Sequence, residues 1–242
     1  RDQSSLRAND SAQGVAAELD RNLNFTEHVL GDATSLMQRV RELTVQMSND
    51  SYSFEERQAA IVEIEQLKEE MLGIANIEFN GRMLFAGRSN VDPAFDTTGA
   101  FLGDNGQMEV PVGKIRINSA LPGGEPFEDP TGGPNLFATF DQVIAAIGSN
   151  DGAVISATLD DIDAAFDRIS NGRTEIGRTQ RQLEITVKTL EHFEDMTREA
   201  LSNEQDTNMI DAVMQLREAE SGLKAAMVVT TRLEGMSLVD ML

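Results

Sequence analysis

The chain has no cysteine and no tryptophan, one tyrosine (Tyr52), and 20 basic residues against 41 acidic ones. Without cysteine there can be no disulfide, no thiol nucleophile and no cysteine-ligated metal, a composition that tolerates varied redox conditions. With one tyrosine and no tryptophan, aromatic stacking on bases or sugars has little to work with. The net charge of −21 repels phosphate backbones and anionic lipid, which argues against nucleic acid and membrane surfaces as partners. No apolar run reaches the roughly 18 residues of a membrane span. No block of like charge is long enough to be a tail, and no signal peptide precedes the fold. The sequence starts at Arg1 rather than Met, as a trimmed N-terminus would.

Residues that could carry chemistry are equally sparse. His28 and His192 are the only histidines and fall in separate segments, so a paired zinc site has no spacing to support it. Asp160, Asp161 and Asp163 could hold a cation through oxygen, but acids near a helix N-terminus are favourable without any ligand, and that is the preferred reading. Gly172 to Thr179 approximates the phosphate loop GxxxxGK[ST]. However, Arg178 takes the lysine position and no strand precedes it, so the required strand–loop–helix context is missing. No Ser-His-Asp spacing stands out. The 11 methionines fall mostly on apolar seams, where they serve as core or interface filler. The reading is of a non-enzyme with no catalytic residue, cofactor or metal.

What the chain does have is long helical periodicity. Ile155, Leu159, Ile162, Phe166, Ile169, Arg173, Ile176, Gln180, Leu183, Val187, Leu190, Glu194, Thr197 and Leu201 alternate steps of four and three, a heptad seam over Ala153–Leu201. A helix of that length spans about 70 Å. The polar members Arg173, Gln180 and Glu194 either fix the register of the seam or sit at its edge. Leu19, Leu23, Thr26, Leu30, Ala33, Met37, Val40, Thr44 and Met47 form a second seam, on a helix expected to start at an Asp10 cap. Val29, Leu36 and Leu43 widen it, so this helix faces more than one neighbour. Ser53 and Glu56 form a capping box for a third helix carrying Ala60, Ile64, Leu67, Met71 and Ile74, and the short connection makes the pair antiparallel.

All six prolines lie between Arg88 and Pro134, in turn-rich chain. Within it, Met108, Val110 and Val112, then Ile115 and Ile117 after Gly113, alternate as a β-hairpin, with Gly103–Gly106 as a preceding turn. A short helix follows over Asn135–Ile147. Ser202–Asp206 reads as a polar hinge. Beyond it, Met209, Val213, Leu216, Leu223 and Met227 keep helical spacing, while Ala225, Ala226, Val228 and Val229 make the helix apolar around much of its circumference. Such a helix needs a partner that the rest of the chain does not offer.

The expected fold class is mainly α: a long, heptad-patterned, antiparallel bundle with a small β-rich insertion. The core domain is 1–87 with 135–205, the insertion is 88–134, and the assembly helix is 206–242. This order of elements resembles the bacterial flagellin superfamily. Leu36 to Gln46 resembles its QRxRELAVQ segment, and Ile176 to Leu183 its GARxNRLE segment. Met236 to Leu242 resembles its SLFDYL terminus. Phe79-Asn80-Gly81-Arg82-Met83-Leu84-Phe85-Ala86-Gly87 is similar to the NGRYLFAG segment of the hook-associated protein 3 branch, where flagellins carry FNGxxLL.

The resemblance implies an extracellular structural protein of the flagellum, exported without a cleaved signal. Its role would be to form the junction between hook and filament by axial helix–helix assembly. The implied partners are flagellin, hook-associated protein 1, a flagellar export chaperone, and further copies in a ring. The implied assembly interface is Met209, Val213, Leu216, Leu223, Met227, Leu238 and Leu242. The resemblance also implies a further N-terminal helix paired with the C-terminal one, and that helix is expected to be missing from this chain. The insertion is expected to face outward and to vary without harm to the bundle. The alternatives are a short flagellin, or a surface adhesin using residues 88–134.

Overall fold

The computed structural model describes the backbone of residues 2–49, 51–129 and 132–239, and the side chains of these except at 2–3, 205–208 and 233–239. Its contacts divide into two units, one of residues 10–190 and one of residues 1–9 with 191–242.

Helix α1 (Asp2–Met47), which belongs to the larger unit from residue 10 onward, is joined to helix α2 (Phe54–Ala75) by a short loop. α1 begins well before Asp10, contrary to the expected cap there: residues 2–9 contain neither glycine nor proline to stop a helix. The capping box of α2 is formed as expected. Ser53 Oγ accepts from the Glu56 amide at 3.3 Å, and Glu56 Oε2 accepts from the Ser53 amide at 2.8 Å. Helix α3 (Leu136–Gly148) is capped by Asn135, whose side chain accepts from the Ala138 amide at 2.8 Å. Asp151 caps a short helix α4 (Gly152–Ala157). Helix α5 then runs over Leu159–Val239, 81 residues. The long heptad helix is thus interrupted at Thr158, and the hinge expected at Ser202–Asp206 does not break it. Those residues are polar but include no helix breaker.

All nine α1 seam positions, Leu19 through Met47, are buried. On α5 the seam is rotated from the expected one. Ile162, Ile169, Ile176 and Leu183 are buried, but their buried companions are Ala165, Gly172, Thr179 and Thr186, while Phe166, Arg173, Gln180 and Val187 are half-buried. The threonines bury without loss because each hydroxyl donates one turn back, Thr179 to the Glu175 carbonyl (3.1 Å) and Thr186 to the Gln182 carbonyl (2.9 Å).

Polar pairs at the edge of the seam set the helix register. Arg41 Nε donates to Asp163 Oδ1 (2.6 Å), Arg173 Nε to Glu27 Oε1 (3.2 Å) and Gln180 Nε2 to Asn24 Oδ1 (2.9 Å). Partners on α1 fall in number as those on α5 rise, so the two helices are antiparallel. Arg39 joins Glu63 on α2 (2.7 Å), and Lys68 joins Asp141 on α3 (2.6 Å).

Two hairpins form, the first just before the insertion and the second within it. β1 (Glu78–Phe79) pairs with β2 (Arg82–Met83) around Asn80-Gly81, both at positive φ. β3 (Glu109–Val112) pairs with β4 (Ile115–Asn118) in the expected place. Val112 and Ile117 point inward, while Ile115 is exposed. The rest of the segment is not an outward appendage. Phe95, Leu121 and Phe127 are fully buried and belong to the same apolar core as the helices. Phe95 is the hub: its ring centre lies 5.2 Å from Phe101, 5.5 Å from Phe127 and 5.6 Å from Phe137 on α3. Aromatic rings of this size dominate core energetics, and proline-rich spacing hid their role.

Candidate assembly surface

In the smaller unit, every residue from 209 to 232 is exposed. Met209 is 69% exposed, and Leu216, Leu223 and Met227 are each 60% exposed. Steps of four and three put Met209, Val213, Leu216, Leu223 and Met227 on one face, interrupted only by Glu220. Ile210, Met214 and Val228, also exposed, widen that face on one side. Ala212, Ala219 and Ala226, with Gly222, border it on the other, so a second helix could approach there closely. Thr230 and Thr231 do not make the face polar, because both hydroxyls donate back into the helix at 2.9 Å, to the Ala226 and Met227 carbonyls.

Five of the seven expected interface residues are therefore gathered on one exposed face of α5. The side chain of Leu238 and the whole of Leu242 lie outside the described residues. Contiguous exposed apolar surface is a feature that interaction sites commonly have. Fully burying a leucine or methionine side chain contributes about 1.5–3 kcal/mol. A few such residues suffice to drive helix association.

Among the described residues, no group of three or more His, Asp or Glu side chains is placed to hold a metal ion. His28 lies 4.0 Å from Asp32 on its own helix. Asp163 serves Arg41, and Gly172–Thr179 is continuous α-helix rather than a phosphate loop. No helix among the described residues is long and apolar enough to cross a membrane.

A second feature seats the insertion. Phe85 and Ala86 are buried, and their carbonyls accept from the amides of Gly124 (2.9 Å) and Asp104 (3.1 Å). A β-carbon at Gly87, where φ is +77°, would stand 1.9 Å from the Asp104 carbonyl oxygen; one at Gly123 would stand 1.7 Å from the same atom. Three loops therefore converge where only glycine fits. Asp104 Oδ1 accepts from the amides of Arg88 (2.9 Å) and Gly106 (2.7 Å), and these bonds hold its carboxyl below the usual aspartate range. The Phe-Ala-Gly ending is thus a three-loop junction.

Residues 3–90 match the bacterial flagellin N-terminal helical region, and residues 159–242 match the bacterial flagellin C-terminal helical region. The chain belongs to the bacterial flagellin family. Flagellin FlaB1 of Treponema pallidum is 28% identical to it over 219 residues, covering 88% of this chain and 71% of that one. Flagellar hook-associated protein 3 of Salmonella typhimurium is 23% identical over 246 residues, covering 91% and 77%. The crystal structure of Bacillus cereus FlgL is 25% identical, with a TM-score of 0.70, covering 81% of this chain and 96% of that one. In this flagellin-family chain the two matched helical regions flank the insertion. The exposed face of α5 lies in the second of them.

Proposed function

We propose that this flagellar structural protein forms the junction between hook and filament, and that the exposed face of α5 is what holds its copies together. The observation that carries the reading is the unbroken exposure of residues 209–232 on a helix whose one face is apolar. Membership of the flagellin family makes the chain a component of the extracellular flagellum. The Phe85-Ala86-Gly87 ending and the likeness to Bacillus cereus FlgL support the junction over the filament. On this reading copies form a ring, with hook-associated protein 1 on one side and flagellin on the other, and an export chaperone covers the α5 face beforehand.

A filament subunit is the second reading, favoured by the 28% identity to flagellin FlaB1. Deleting the gene separates the two. Loss of a junction protein leaves hooks that release flagellin into the medium. Loss of a sole filament subunit leaves bare hooks and nothing to release, and that result would overturn the junction reading.

A further inference from the structure

The insertion rests on α5 at Gly172. A β-carbon there would lie 3.2 Å from Leu121 Cδ1 and 3.5 Å from Pro126 Cβ, so the glycine lets the loop settle directly onto the helix. Next to this contact is a cleft of about 390 Å³ whose lining includes Gln107, Asn118 and Glu125 from the insertion, and Asn171, Glu175 and Arg178 from α5. Glu125 is half-buried and faces Glu175 across this cleft. Glu125 also lines a second cleft, with Glu128 and Asp129 of its own loop and Arg168 of α5.

The cations near Glu125 are engaged elsewhere. Arg178 Nη1 donates to Glu175 Oε2 at 2.9 Å, one turn along its own helix. Arg168 Nη1 lies 3.5 Å from Asp129 Oδ2, and its Nη2 donates to the Pro134 carbonyl at 3.4 Å. Among the described residues no lysine or arginine pairs with Glu125. Gln107 and Asn118, from the hairpin side, carry no charge.

We infer that Glu125 and Glu175 make the seat of the insertion on α5 a proton-sensitive latch, looser when both carboxylates are charged and tighter when Glu125 is protonated. Burial, and then the charge of Glu175, raise the Glu125 carboxyl above the ordinary glutamate value of 4.5. A carboxyl raised in the folded state adds stability that is complete below its ordinary value and lost as pH rises through the raised one. Asp96 and Asp104 of the same insertion are shifted the other way, so they remain charged over the range in which Glu125 takes up its proton.

The test is amide hydrogen exchange on the full chain at about pH 7.5 and about pH 5, corrected for intrinsic rates. Protection of residues 119–128 should rise on acidification, while protection of α2 stays level. In Glu125→Gln the loop should be well protected at both pH values, with the response abolished. In Glu175→Gln, where Arg178 keeps a neutral partner, the response should shrink. Protection that stays flat or falls in the unaltered chain, a parallel rise in α2, or a full response in either variant would overturn the latch.

Discussion

Arg41 and Asp163, 122 residues apart in sequence, meet through two bonds, Nε to Oδ1 at 2.6 Å and Nη2 to Oδ2 at 3.4 Å. They join the end of α1 to the start of α5, and with Glu27–Arg173 and Asn24–Gln180 they define one register for two helices. Asp163→Arg should lower the thermal midpoint followed by circular dichroism, and adding Arg41→Asp should recover most of the loss. Both groups are about half exposed, so the penalty should shrink in high salt. Additive penalties in the double variant would mean the pair does not couple the helices.

Gly87 tests the three-loop junction. Gly87→Ala forces a side chain into left-handed backbone, at about 1–3 kcal/mol before any clash, and drives its β-carbon into the Asp104 carbonyl. The melting temperature should fall clearly. Gly14→Ala, in an α1 position where a β-carbon meets nothing within 4 Å, should be neutral or mildly stabilising. Equal effects at the two sites would remove the special role given to the Phe-Ala-Gly segment.

Phe95→Ala should cost about 3–5 kcal/mol in denaturant unfolding. With no tryptophan and one tyrosine, far-ultraviolet circular dichroism is the practical probe. A loss under about 1 kcal/mol would show that the insertion is energetically separate from the bundle after all.

Asp96 and Asp104 predict the acid side of the stability profile. The Thr98 hydroxyl and the Ala100 amide hold the Asp96 carboxyl below its ordinary value of 3.8, and the Arg88 and Gly106 amides do the same for Asp104. Their contribution is present above 3.8 and should be lost as pH falls through the depressed values. Asp104→Asn should flatten that acid limb. An unchanged limb would assign acid unfolding to other carboxylates.

Much of the architecture was legible because large apolar residues repeat at helical spacing. The α1 seam and the Ser53–Glu56 box are where the pattern puts them. What the pattern misplaced follows from residue size and from missing stop signals. The centre of the α5 seam includes Ala165, Gly172, Thr179 and Thr186, which carry little hydrophobic signal, so larger flanking residues drew the seam toward its edge. Arg173 and Gln180, read as either register pins or edge residues, are both. The Asn80-Gly81 turn was a hairpin signal set inside strands too short to alternate. The exposed face of α5 was legible because an apolar helix without a partner contradicts itself in sequence as plainly as in space.

The absence of native cysteine makes one measurement especially direct. A single Leu223→Cys variant should react rapidly with maleimide as an isolated protein, since Leu223 is 60% exposed there. In assembled flagella the same thiol should be shielded, and its reactivity should return on dissociation. Equal labelling rates in the free and assembled states would contradict the claim that this face of α5 holds the copies together.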